Sequence, residues 1–387
     1  MIAELTIDLG ALRRNARRLA AHVAPSHYAA VVKSNAYGHG LVPVARALEG
    51  VATALCVYRA DEALAIRAAG IATPLLILGP VETRELDDVS AADAAIALWD
   101  AGAFRNEVAR AARKRERRFP VHVKVDTGTT RLGFDAAKTA DAIASLASDD
   151  GVDVRGVYTH LAAAEELESD YTVEQLQRFE RALAPVEALV REHRIARHAA
   201  ASAAAMLFPA SRYDLVRAGI ATYGIWPSPE TRAAVAHALE LEPVLAWTTK
   251  LVVVRDVEAG RSVGYGCGFH AQRASRIGVL PIGYAEGLPR SLFGAGVALV
   301  GGRRVPIVGR VCMNMTFVDV TGVPEAHAGS TVTLVGCDGE ERLEADELAG
   351  LAGTIGYELV ARLPAEVPRR YLEAEMRTSG RSAALTG

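Results

Sequence analysis

The segment AVVKSNAYGHG, residues 30–40, places a lysine directly behind an apolar strand pattern. An interior ammonium costs several kcal/mol unless it is paired or gives up its proton. A desolvated lysine loses its proton readily and becomes a Schiff-base nucleophile toward an aldehyde. The opposing reading is a side chain that lays its stem along apolar surface and carries its charge to water. On spacing alone the two readings of Lys33 stand level.

Other residues able to do chemistry follow similar apolar runs: Lys124 and Arg131 in KVDTGTTRLGF, His160 in GVYTHLA, His198 and Ser202 in HAAASAA, and Arg217 in DLVRAGIATYGI. Cys56, Cys267, Cys312 and Cys337 lie far apart, without a CxxC pair or metal-ligand spacing, and read as buried or inert thiols of a reducing compartment.

The elements that must position these groups are short. Strand patterns fall at 28–33, 52–57, 74–78, 93–98, 120–126, 154–160, 197–201 and 213–219, with Ala-, Glu- and Arg-rich helical stretches between them. Such alternation implies parallel pairing through crossovers. Eight strands fit an α/β fold in which residues 1–241 form a (β/α)8 TIM barrel; an open doubly wound sheet is the alternative. In a barrel the C-terminal strand ends share one mouth, where Lys33, Lys124, Arg131, His160, His198, Ser202 and Arg217 would converge. From about 242 the pattern becomes β-branched and Gly-punctuated, so residues 242–387 read as a mostly antiparallel β domain.

The 387 residues carry 43 basic and 46 acidic side chains, a net charge of −3 that offers no electrostatic case for nucleic acid or an acidic membrane surface. The run RAARKRERR, 110–118, reads as the solvated face of a helix. The first residues lack a signal pattern, and no apolar run approaches the ~18 residues that span a bilayer. The expected location is the cytoplasm.

AVVKSNAYGHG resembles the pyridoxal-phosphate lysine motif of the alanine racemases, fold-type III pyridoxal-phosphate enzymes. The blocks quoted above resemble further family blocks in the same order, as do VGYGCGF (263–269), IGYAEGLPR (282–290), GRVCMNMTFVDVT (309–321) and TIGYE (354–358). The resemblance runs nearly end to end. It implies a TIM barrel plus a β domain, pyridoxal 5'-phosphate as cofactor, and interconversion of L- and D-alanine, the latter a peptidoglycan precursor.

It also implies roles. Lys33 binds the cofactor and acts at Cα, and Tyr265 is the second base, supplied by the other subunit of a homodimer. A lone base would return the proton to one face only. Tyr265, His160, Arg217 and His198 form a hydrogen-bonded chain, with Arg217 facing the pyridine nitrogen. Arg131 contacts the cofactor and lies near the substrate carboxylate, and Lys124, carbamylated, holds Arg131. Tyr37, Ser202, Tyr357 and the backbone at Gly219 and Ile220 cradle the phosphate. Tyr284 and Met313 stand near the substrate. Departures from the family pattern are Ala201 for Asn, Thr129 for Met, Glu286 for Asp, Asn314 for a frequent Asp, and Glu366 for Arg. These leave a racemase of serine or another small amino acid as an alternative, with a fold-type III decarboxylase behind it. Arg217 argues against the decarboxylase, because a fixed cation leaves the ring nitrogen unprotonated and weakens the electron sink. A non-catalytic cofactor carrier would have no use for Tyr265.

Overall fold

The computed structural model describes residues 3–373 except 101, 115 and 116. Each of the eight expected barrel strands is present: β2 (His27–Val31), β3 (Ala54–Val57), β4 (Leu75–Ile77), β5 (Ala94–Leu98), β6 (Phe119–Asp126), β8 (Val152–Tyr158), β9 (Ala196–His198) and β10 (Leu215–Ala218). A two-residue strand, β7 (Phe134–Asp135), pairs with β6. The parallel order is β10-β2-β3-β4-β5-β6-β8-β9. The ring closes through Asp214 N–H to Arg197 O at 3.0 Å and Arg217 N–H to Ala200 O at 3.0 Å. The open doubly wound alternative is thereby set aside.

Strand alternation decides which residues reach the barrel interior. Tyr28, Ala30 and Val32 pack outward with the main core, whereas Ala29 and Val31 join Cys56, Leu76 and Ala95 in a separate inner cluster. Continuing that parity carries Lys33 to the inside. The same parity points Val121, Val123 and Val125 outward. It leaves His122 and Lys124 facing in.

The second sheet runs from β11 (Leu245–Lys250) onward and is mostly antiparallel. It also takes in a strand from the opposite end of the chain. β1 (Ala3–Asp8) pairs antiparallel with β11 and parallel with Arg369–Leu372. The unit expected to begin at 242 therefore includes residues 3–8 in its sheet. The alternating burial of AELTID suits a sheet with one face covered. Asp8 then caps the helix Leu9–Val23, its carboxylate accepting from Ala11 N–H at 2.9 Å. Such a cap contributes about 1 kcal/mol.

Arg110, Arg113, Lys114, Arg117 and Arg118 are exposed, as expected of a solvated face, while residues 115–116 of that run lie outside the described residues. The cysteines are all free, but only Cys56 is buried; Cys267 and Cys337 are exposed. Among the described residues no helix is long and apolar enough to cross a membrane.

Candidate active site

The strand β2 does not end in an ordinary turn. Ser34, Asn35, Ala36 and Tyr37 all hold positive φ, between 52° and 56°, a left-handed coil of consecutive non-glycine residues. Each such residue costs roughly 1–2 kcal/mol, so the surroundings must hold the coil. Ala36 N–H donates to Val32 O at 2.9 Å, Gly38 N–H to Ser34 O at 3.0 Å and Gly40 N–H to Asn35 O at 2.9 Å. Asn35 Oδ1 accepts from Leu41 N–H at 2.8 Å, and buried His39 stacks on Tyr223 with ring centroids 4.5 Å apart. At Gly38 (φ +78°) a Cβ would lie 2.1 Å from Val360 O. Glycine there lets the helix Gly356–Ala361 approach and bring in Tyr357.

A cavity of about 1010 Å³ opens at this mouth, lined by Lys33, Tyr37, Lys124, Arg131, Tyr158, His160, Ser202, Arg217, Gly219, Ile220 and Tyr357. Burial and then the Arg131 charge push the Lys33 ammonium below its ordinary value. Lys124 is pushed down to about 8 by burial, Arg131 and Arg217. Among the described residues neither lysine closes an ion pair. The Arg131 loop hangs on Asp126, whose carboxylate accepts from the N–H groups of Gly128 (2.8 Å), Thr129 (2.9 Å), Thr130 (3.2 Å) and Arg131 (3.1 Å). Burial opposes that charge, but the donors outweigh it and hold the carboxyl below its usual range.

Arg217 is buried, and its guanidinium donates to Thr159 O at 2.9 Å, Ala199 O at 3.1 Å and His198 Nδ1 at 2.5 Å. His160 lines the same cavity, pushed down to about 3 by burial, Arg217 and Arg131. Its side chain makes no hydrogen bond to Arg217 or His198. Sequence reasoning missed His122, whose Nδ1 lies 2.8 Å from His198 Nε2. Its signal was its place two residues before Lys124, on the same face of β6.

The Ser202 hydroxyl accepts from Gly219 N–H at 3.0 Å and Ala221 N–H at 3.4 Å. That leaves its own O–H, and the N–H of Ile220 at the start of a helical turn, to meet an anion. A Cβ on Gly219 would lie 2.5 Å from the Tyr37 hydroxyl. Tyr357 donates instead to Glu165 Oε1 at 3.3 Å. Ala201 occupies the cap position of the helix Ser202–Leu207 with no side-chain capping bond.

Tyr265 is not at this mouth. It is 73% exposed, on a turn of the second unit flanked by Gly264 (φ +76°) and Gly266 (φ +67°). Tyr284 and Met313 are exposed as well, 43% and 57%. Their segments are joined by Tyr284 N–H to Cys312 O at 3.1 Å and Ala285 N–H to Met313 O at 2.9 Å. Glu286 and Asn314, each unusual in its block, meet: Asn314 Nδ2 donates to Glu286 Oε1 at 2.7 Å. Thr129 is half-buried, and its hydroxyl donates to Asp126 Oδ1 at 3.4 Å, whereas Glu366 is exposed and nothing in the structure explains it.

Residues 7–227 match the family described as "Alanine racemase, N-terminal domain", and residues 244–371 match "Alanine racemase, C-terminal domain". The chain belongs to the alanine racemase family. An alanine racemase of Symbiobacterium thermophilum is 42% identical over 366 residues, covering 94% of this chain and 96% of that relative. The crystal structure of alanine racemase from D-cycloserine-producing Streptomyces lavendulae has a TM-score of 0.89 at 34% identity, covering 97% of this chain and 98% of that one. Alanine racemase from Bacillus anthracis with bound L-Ala-P has a TM-score of 0.85 at 34% identity, covering 96% and 95%. Alanine racemases depend on pyridoxal phosphate, and the mouth fits that group. It offers an unpaired lysine with weakened hold on its proton, a glycine cradle closed by a tyrosine hydroxyl, and a buried guanidinium.

Proposed function

We propose that Lys33 and Tyr265 are the two acid–base groups of a pyridoxal-phosphate-dependent alanine racemase, and that each site takes its Tyr265 from the partner in a homodimer. The observation that carries this reading is the division of the residues: Lys33 lines the closed mouth, whereas Tyr265 stands 73% exposed outside it. One copy holds one half of a two-base site. The exposed Tyr265, Tyr284, Met313 and Met315 are the kind of apolar surface that a second subunit covers.

When bound, pyridoxal phosphate withdraws electrons from substrate Cα and makes its C–H bond acidic. Ser202, Tyr37, Tyr357 and the backbone at Gly219 and Ile220 would hold the phosphate. Arg217, always charged, would present its N–H groups to the pyridine nitrogen and keep that nitrogen unprotonated. Arg131 would orient the substrate carboxylate, with Met313 of the partner's loop beside it and Tyr284 near the opening. Lys124, crowded by cations and with an easily lost proton, would be carbamylated, which turns a repulsive neighbour of Arg131 into an anion that anchors it. Lys33 takes or returns the proton on one face of Cα and Tyr265 on the other, with His160 at the same mouth. The enzyme works in the cytoplasm and provides D-alanine as a peptidoglycan precursor.

Mixed dimers test the shared site. Lys33→Ala and Tyr265→Phe homodimers should each be inactive, and remixing them at equal ratio should restore about a quarter of wild-type activity per site, because half the dimers regain one intact site. No recovery after verified subunit exchange would show that both groups act within one chain.

A further inference from the structure

Deep in the barrel, three side chains form a line that the two-base reading leaves unused at its far end. Arg217 Nη1 lies 2.5 Å from His198 Nδ1, and His198 Nε2 lies 2.8 Å from His122 Nδ1. Guanidinium is a donor only, so His198 Nδ1 must offer its lone pair. A neutral imidazole carries one proton, so His198 holds it on Nε2 and donates it to His122. His122 Nδ1 is then the acceptor, and its own proton sits on Nε2. A second proton on His198 would point an N–H at the Arg217 N–H.

The geometry around His122 is built for this. Its neighbour in register on β8 is Gly156, where a Cβ would lie 2.3 Å from His122 Nδ1. Only glycine lets the ring turn its Nδ1 toward His198. Tyr158 stacks flat on the His198 ring, with centroids 4.7 Å apart and planes 5° apart, which fixes the plane of the ring and leaves its other contacts to decide which edge meets Arg217. Burial and the Arg217 charge also push His122 down to about 3, which keeps it neutral.

We propose that His122 is a positioning residue that, by accepting the His198 Nε2 proton, holds the His198 ring with its Nδ1 lone pair on Arg217, so that the tautomer Arg217 requires stays in place and the positive charge stays on Arg217. The consequence for chemistry rests on Arg217 facing the cofactor's ring nitrogen. With His122 in place, that nitrogen stays unprotonated and the proton returns to Cα. With His122 lost, the His198 ring can turn over and withdraw its lone pair from Arg217, and the side reaction gains, in which alanine's amino group passes to the cofactor, water supplies the carbonyl oxygen and pyruvate leaves.

Asparagine places an amide oxygen where histidine has Nδ1, whereas glutamine places it nearer Nε2, so the pair H122N and H122Q separates function from packing. Long-range 1H–15N spectra of 15N-histidine protein, recorded without cofactor, read the His198 tautomer directly. The wild type and H122N should show one His198 tautomer, protonated on Nε2; H122Q and H122L should show a mixture. In the loaded enzyme H122Q should form about tenfold more pyruvate per racemisation than H122N. Identical His198 spectra in all folded variants, or H122N as impaired as H122Q, would overturn the proposal. R217Q is the control for the underlying reading. If R217Q leaves the pyruvate ratio unchanged, the placement of Arg217 at the ring nitrogen fails, while the cofactor-free spectra still judge His122.

Discussion

In the shared site proposed above, the barrel mouth and the exposed face of the second sheet would contribute by opposite physical means. At the mouth Arg217 is 3% exposed, and beneath it His198 is 0% exposed, and each is fixed by partners inside the same chain. On the second sheet, Tyr265 is 73% and Met313 57% exposed, held in place by backbone turns and by bonds such as that of Asn314 to Glu286. The mouth is a dry environment in which charge and proton affinity can be shifted strongly. The sheet face stays open to solvent until another surface covers it. Under that proposal the cofactor-binding half would be complete in a monomer, while the proton-transfer half would wait for assembly.

The strongest way to break this division is Tyr265→Phe. It should lower racemisation by about 10²–10⁴-fold, the usual contribution of a positioned acid–base group, yet leave cofactor binding and melting temperature unchanged. A chiral assay beside cofactor titration reads both. Loss of cofactor binding would mean that Tyr265 belongs to the mouth after all.

An intermediate effect is expected from acid. His39, His122, His160 and His198 belong to the barrel, and burial lowers the proton affinity of each, to about 4 for His39 and about 3 for His122 and His160. The unfolded chain therefore binds protons that the folded barrel refuses. Stability is full above the ordinary histidine value of about 6.5 and is lost as pH falls from there toward 3. Urea midpoints should hold steady at neutral pH and then fall below it, and hydrogen exchange should show the barrel strands opening before the second sheet. A midpoint independent of pH across that window would remove the prediction.

The smallest expected effect sharpens the mouth itself. Ala201→Asn adds a capping side chain beside Ser202, worth about 1 kcal/mol. Cofactor retention on dialysis should improve, by several-fold in Kd, with the racemisation rate of the loaded enzyme unchanged. Unaltered retention would show that the Ala201 position does not face the phosphate.

The eight barrel strands were legible because each is a short run of Val, Leu, Ile and Ala bounded by helix-forming segments, and parity then placed Lys33 inside. β1 was not, because AELTID is a lone alternating strand whose partners lie in distant segments. The left-handed coil after Lys33 was illegible for a different reason. Ser34, Ala36 and Tyr37 have no local preference for positive φ, and contacts from Glu62, Leu41 and His39 impose it. His122 escaped notice because attention to strand ends passes over a residue in mid-strand, and only the neighbouring Gly156 explains its reach. The Glu286–Asn314 bond shows that two departures from a family pattern, judged separately, can be one matched pair.

β1 also constrains the order in which the protein can be made. Ala3 pairs with Thr249, and Leu5 with Arg369. On a ribosome, this strand must wait until the whole barrel sequence and then Leu245–Thr249 have been made before its sheet has a place for it, and longer still for its second neighbour, while most barrel strands meet their neighbours as synthesis proceeds. Until then its unpaired edge is open to the wrong partner. The alternation of half-buried Glu4 and Thr6 with buried residues keeps that waiting segment less apolar than the barrel strands.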